Sequence, residues 1–162
     1  MRRVALLICL VAASVFTSAA AAAAPEKTAF IIEDQESVLT GICPFNVTAS
    51  SDIAVTQILH FDESGNLIRI FWHAVEQDTF SANGKTIVGE PYTFNIEGIL
   101  DAEGNFIHIY ASGIVSRLVL PNGTFFLSAG RGDFLNHPEQ AFLITPDVGR
   151  SGNIAAFCAA LS

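Results

Sequence analysis

Asp62-Glu63-Ser64-Gly65-Asn66-Leu67-Ile68-Arg69-Ile70-Phe71 has a near-copy further along the chain, Asp101-Ala102-Glu103-Gly104-Asn105-Phe106-Ile107-His108-Ile109-Tyr110. Each stretch is a turn followed at once by a run rich in β-branched and aromatic residues. In a three-residue hairpin loop, the place held by Gly65 or Gly104 is the left-handed residue of a G1 bulge, which glycine adopts without a Cβ clash. Leu120-Pro121-Asn122-Gly123-Thr124 follows the same design. Pro121 suits the first central position of a type I turn, where its fixed φ is already correct. Asn83-Gly84 is a further hairpin signal. Successive hairpins join neighbouring antiparallel strands, which makes a meander. Two matching hairpins do not make a repeat array.

Outward from these turns, the pattern predicts strands over Thr28 to Glu33, Ile42 to Ala49, Ala54 to Asp62, Leu67 to Phe80, Thr86 to Leu100, Phe106 to Leu120, Thr124 to Phe134 and Ala141 to Ile144. Helical candidates are short: Asp34 to Leu39, and a last turn from Asn153 to Leu161. The fold class is therefore all-β, an antiparallel meander of about eight strands. Both faces of the longer strands are apolar. Ile68, Ile70, Trp72 and Ala74 lie on one side of the Leu67 strand, with Leu67, Arg69, Phe71 and His73 on the other. A sheet with one wet face alternates more cleanly. Closure into a β-barrel, lipocalin-like or like the allene oxide cyclase and dirigent barrels by fold analogy alone, accounts for this. A β-sandwich is the alternative. The Thr86 strand disagrees with its neighbour over which face is drier, and a bulge at Gly89, Gly98 or Gly113 would reconcile them.

The N-terminus carries Arg2 and Arg3, an apolar stretch from Val4 to Phe16, and small residues from Ala19 to Ala24 that offer A-x-A cleavage sites. This is the pattern of a secretory signal peptide, residues 1–24, ahead of a single domain over 25–162. Cys9 leaves with the leader, so Cys43 and Cys158 remain. Export to an oxidising compartment predicts that they form one disulfide. A loop of this length is stabilised by about 4–5 kcal/mol in the chain-entropy model. A redox-active pair normally needs close spacing, which these cysteines lack.

With 16 acidic residues against 8 basic ones, the chain has a formal net charge of −8, more negative once Arg2 and Arg3 are removed. Such a surface repels phosphate backbones, which argues against nucleic-acid binding. No second apolar run is long enough to cross a bilayer, so the mature chain is expected to be soluble, secreted and extracellular.

If the two Asp-x-x-Gly-Asn turns share a register, His108, Tyr110 and Ser112 project on the same face as Arg69, Phe71 and His73. Tyr92, Phe94 and Ile96 from the strand between would join them. Aromatic walls with a few polar tips are the usual lining of a small-molecule cavity. The candidate ligand-binding set is thus Arg69, Phe71, His73, Tyr92, Phe94, His108 and Tyr110, for a small apolar or amphipathic ligand. Catalytic motifs are absent: there is no Gly-x-Ser-x-Gly, and no cysteine is left free. His60, His73, His108 and His137 lack metal-ligand spacing. His73 cannot join Glu76 in a cluster with Asp78, because on a strand their side chains point to opposite faces. No cofactor and no metal are expected. Arg131-Gly132-Asp133 spells an adhesion tripeptide, and Asn46-Val47-Thr48 and Asn122-Gly123-Thr124 are glycosylation acceptors where the source glycosylates.

The arrangement resembles a broad group of small secreted actinobacterial β-rich proteins of uncharacterised function. The matching residues are the leader, Cys43-Pro44-Phe45, Asn83-Gly84-Lys85-Thr86, Leu120-Pro121-Asn122-Gly123-Thr124 leading into Leu127-Ser128-Ala129-Gly130-Arg131, and the ending Phe157-Cys158-Ala159-Ala160-Leu161. The resemblance implies a disulfide-closed β domain and no particular activity. A non-enzymatic extracellular binding protein is the first expectation. A cyclase or isomerase that uses His108 and Tyr110 as proton-handling groups is the second, and a cell-surface interaction or structural module the third.

Overall fold

The computed structural model describes residues 24–136 and 144–162. The leader therefore lies almost wholly outside the described residues, as do Cys9, His137 and most of the strand expected at Ala141 to Ile144. Among the described residues, eight antiparallel strands form a single sheet, with one short helix. In chain order they are β1 (Glu26–Leu39), β2 (Val47–Phe61), β3 (Leu67–Ala82), β4 (Lys85–Val88), β5 (Tyr92–Leu100), β6 (Phe106–Val119), β7 (Phe125–Asp133) and β8 (Val148–Arg150), followed by α1 (Ile154–Leu161). The spatial order is β1-β2-β3-β5-β6-β7-β8, and β4 pairs with the far end of β3. The ladder is not closed among the described residues, since β1 pairs with β2 and β8 with β7 at its two ends.

The hairpin turns form as their chemistry dictates. Gly65 and Gly104 both sit at φ 84°, and Gly123 at 80°. Asp62 Oδ1 accepts from the amides of Ser64 and Asn66, each at 2.8 Å. Asp101 Oδ1 does the same for Glu103 and Asn105, at 3.1 and 2.8 Å. These bonds to the ionised carboxylate hold both aspartates below the usual range, with Asn66 the main donor for Asp62 and Asn105 for Asp101.

Four boundaries differ from the sequence pattern. The two strands expected across Ile42 to Asp62 are one strand, β2, and Cys43-Pro44-Phe45 lies in the bends before it. The short helix expected at Asp34 to Leu39 is instead the second half of β1. There Asp34, at φ 51°, donates its amide to Asp52 Oδ1, and a bulge carries the pairing past Ile32 to Gln35. Tertiary pairing with β2 overrides the local preference. The long Thr86 strand is broken between Val88 and Tyr92, where Pro91 has no amide to offer a ladder. Ile144 is buried outside any strand, and β8 comes later. The closing helix forms as expected, capped by Asn153 Oδ1 accepting from the Ala156 amide at 3.0 Å.

At one end of the sheet, Leu39, Val47, Phe80, Leu118, Phe126 and Phe157 share one buried cluster. It unites β1, β2, β3, β6, β7 and α1, so the sheet curls and α1 plugs that end. Phe157 packs against Phe80 edge-on at 5.2 Å and against Phe126 at 5.4 Å. The Cys43–Cys158 disulfide ties α1 to the segment before β2, across 115 residues.

Candidate functional site

The inner face of β3 reads Ile70, Trp72, Ala74, Glu76, Asp78 and Phe80. It is apolar at the open end, acidic in the middle and packed at the plugged end. Strand alternation alone places all six on one side. Glu76 lies between Ile53 of β2 and Tyr92 of β5, while Asp78 lies beside Ser51. Glu76 is 7% exposed and Asp78 1%. Ser51 Oγ donates to Asp78 Oδ1 at 2.5 Å, and the Tyr92 hydroxyl donates to Asp78 Oδ2 at 2.8 Å.

The break between β4 and β5 positions this group. Gly89 donates its amide to the Asp78 carbonyl at 2.7 Å, and Gln77 Nε2 donates to the Gly89 carbonyl at 3.0 Å. A Cβ on Gly89 would stand 3.0 Å from the Asp78 carbonyl oxygen and 3.1 Å from that of Arg117. This close passage restarts the chain at Tyr92 beside Glu76, where the phenol reaches Asp78.

Above the carboxyls lies a partly enclosed cavity of about 140 Å³. Its walls include Ile32, Ile53, Trp72, Phe94, Val115 and Phe134, and its polar lining is Gln35, Glu76 and Tyr92. Trp72 is held in place by its indole N–H, which donates to Gln57 Oε1 at 2.8 Å, and by Phe30 edge-on at 5.5 Å. An adjoining apolar cavity of about 240 Å³ shares Trp72, Ile96 and Phe134 and runs toward Ile70 and Phe106.

Burial, followed by the charge of Asp78, pushes the Glu76 carboxyl up to about 8. Burial also raises Asp78, but bonds from Ser51 and Tyr92 favour its ionised form. The Glu76 carboxyl therefore keeps most of its proton at neutral pH. Burial and the two neighbouring carboxyls push the Tyr92 phenol far up, so it acts as a donor throughout.

Of the residues singled out in the sequence, Tyr92 and Phe94 line the cavity. Arg69, Phe71, His73, His108 and Tyr110 do not. They occupy the outer face, where Phe71 and Tyr110 both pair with Glu97, and His73 pairs with Asn95. The two hairpins do put these five on a common side, but Tyr92, Phe94 and Ile96 face away from them, opposite Glu76, Ala74 and Trp72. On the outer face Arg69 forms an ion pair with Glu97 at 2.7 Å, and His73 Nδ1 lies 2.9 Å from Asn95 Oδ1. The His108 ring stacks on Tyr110, and Arg131 lies 3.6 Å over the same phenol ring. Arg131 and Asp133 are thus engaged, the latter with the Leu135 and Asn136 amides. Among the described residues no group of three His, Cys, Asp or Glu is placed to hold a metal ion.

Glu76, Asp78 and Trp72 are the site residues that sequence reasoning missed. Their signal was present: Glu76 and Asp78 share the parity of Trp72, Ala74 and Phe80, so two acids lie on the dry face of a strand. Compared with protein-family models, curated proteins and solved structures, the chain matches none. Among the described residues no helix is long and apolar enough to cross a membrane.

Proposed function

We propose that this chain is a secreted binding protein that holds a small, largely apolar ligand inside its curled sheet. In this reading residues 1–24 are a cleaved signal peptide, 25–162 form one extracellular domain, and the sheet wraps as a barrel-like shell. The disulfide supports an oxidising destination. The observation that carries the binding function is the aromatic and aliphatic cavity floored by Glu76 and Tyr92. Apolar walls with a few convergent polar groups are the usual form of a ligand site. A cavity of about 140 Å³ suits a ring-sized molecule, comparable to an apolar void of ~150 Å³ that admits benzene. The adjoining apolar space leaves room for a longer body. Native mass spectrometry of protein recovered from culture medium tests this reading. The expected spectrum shows an added mass that disappears on denaturation. A bare mass, together with a Trp72 emission unmoved by every apolar probe, would overturn it; the chain has one Trp, so the signal is local.

One observation favours a second reading, a proton-transferring enzyme of the isomerase or cyclase type. Glu76 carries a carboxyl raised to about 8 at the cavity floor, in the range where a general acid or base works well at neutral pH. That role passes from His108 and Tyr110 to Glu76. Ligand recovered from protein incubated in heavy water tests it: carbon-bound deuterium supports turnover, and its absence leaves binding alone.

A further inference from the structure

Glu76 lies at the cavity floor with Asp78 buried beside it, and among the described residues neither has an ion-pair partner. Among the described residues no Lys, Arg or His lines the cavity. Arg69 and Arg117 pair with Glu97 and Glu90, Arg131 lies on Tyr110, and Lys85 donates to the Ser162 carbonyl. Two hydroxyls, those of Ser51 and Tyr92, donate to Asp78. A buried negative charge without a cation is costly, and a ligand that supplies the missing charge is favoured over one that does not. Resting on the reading of this cavity as a ligand site, we propose that it takes a small hydrophobic amine, its ammonium against Glu76 and its apolar body against Trp72 and Phe94.

Three features converge on this ligand class. An ammonium brings three donors and no acceptor, matching a Glu76 carboxylate that offers only acceptors once its proton leaves. Trp72, Phe94 and Phe134 give the cation aromatic faces as well as apolar contact. A carboxylate or phosphate ligand would meet like charge in a low dielectric, and a neutral alcohol would leave the pair's charge uncompensated. The proton balance is simple. The protonated amine enters, the Glu76 carboxyl gives its proton to solvent, and its carboxylate then faces the ammonium. The titratable groups facing Glu76 are Asp78 on its own strand and Tyr92 on β5. From the other elements β1 and β2 present Gln35, Ser51 and Ile53, and β6 presents Ala111 and Val115, none of which changes charge.

The test uses the full exported chain, dialysed, with Trp72 emission and calorimetry as readouts and benzylamine, benzyl alcohol and benzoate as probes. At pH 7, benzylamine should bind roughly tenfold or more tightly than benzyl alcohol, and benzoate should not bind. Benzylamine binding should release a proton, visible as a dependence of the heat on buffer, and its affinity should rise from pH 6 to 8. Glu76→Gln should weaken benzylamine about tenfold and remove the preference for the amine over benzyl alcohol. If that variant does not fold, the wild-type pH profile decides, and a flat profile overturns the proposal. Equal binding of amine and alcohol also overturns it while leaving the cavity a ligand site. Failure of all probes to bind would overturn the ligand site itself and this inference with it.

Discussion

The two ends of β3 show two uses of one inner face. At the plugged end, Phe80 meets Phe126, Phe157 and Leu161, the packing is aromatic and full, and the Cys43–Cys158 bond closes over it. A few residues away, the same face presents Glu76, Trp72 and Ile70 to empty space. Buried acids and an unfilled cavity both lower stability. The plugged end offsets that loss, because its contacts and its cross-link raise the stability of the sheet as a unit. Packed core and cavity are thus separated along one strand.

The largest test of this division is removal of the cross-link. Replacing both cysteines by alanine should cost about 4–5 kcal/mol in the chain-entropy model, for a loop of 115 residues. Urea unfolding with and without the disulfide measures it. A loss well under that figure would mean that the packed end already restrains the unfolded chain. Phe157→Ala comes next. It removes a fully buried ring that touches two others and should cost about 3–5 kcal/mol. The cavity's response to an apolar probe, read at Trp72 in the protein that remains folded, should be unchanged. A lost response would show that the two ends are not separable.

The hairpins and the cross-link were legible in the sequence because their causes are local or few. Gly65, Gly104 and their aspartates specify turns from five residues each, and beyond residue 24 the chain has only two cysteines. The inner face was not legible. Phe71 and Trp72, or Tyr110 and Ile109, are equally apolar neighbours on opposite sides, so composition cannot orient the sheet. What decides it is parity, and parity is reset by irregularities. The chain breaks at Gly89 and Pro91, and β6 bulges between Ile114 and Ser116, next to Gly113 at φ 124°. Gly98, the third candidate, instead stays in the ladder beneath Phe106. The helix expected at Asp34 to Leu39 failed for a similar reason: its strand pairing depends on Asp52, eighteen residues away. Glu76 and Asp78 were weighed only as partners of His73 and not as a buried pair, because acids in a strand usually mark the wet face.

Tyr92→Phe sharpens the comparison at the cavity end, where its hydroxyl is one of two that donate to Asp78. Its loss should cost about 1.5–3 kcal/mol, the range for a hydrogen bond to a charged group. The ring stays, so the cavity keeps its shape, and thermal unfolding at pH 7 measures the effect. A change near zero would mean that Asp78 accepts the proton itself when the donor is removed.

The smallest effect, at mildly acid pH, is expected for Glu76→Gln, and its pH dependence is more informative than its size. In the native state burial holds the Glu76 carboxyl up to about 8, against an ordinary value of 4.5. The folded chain therefore keeps a proton that the unfolded chain gives up. The stabilisation is fully present below about 4.5 and is lost as pH rises through about 8, after which the slope levels off. Asp78 is raised in the same direction and contributes a slope of the same sign. Glutamine resembles the protonated acid, so near pH 4 the variant and the wild type should unfold together. Between pH 5 and 8 the wild type should lose stability faster, and the variant should become the more stable of the two. Parallel profiles would place the retained proton elsewhere, on Asp78, and would remove the contrast between a cavity end governed by pH and a plugged end that is not.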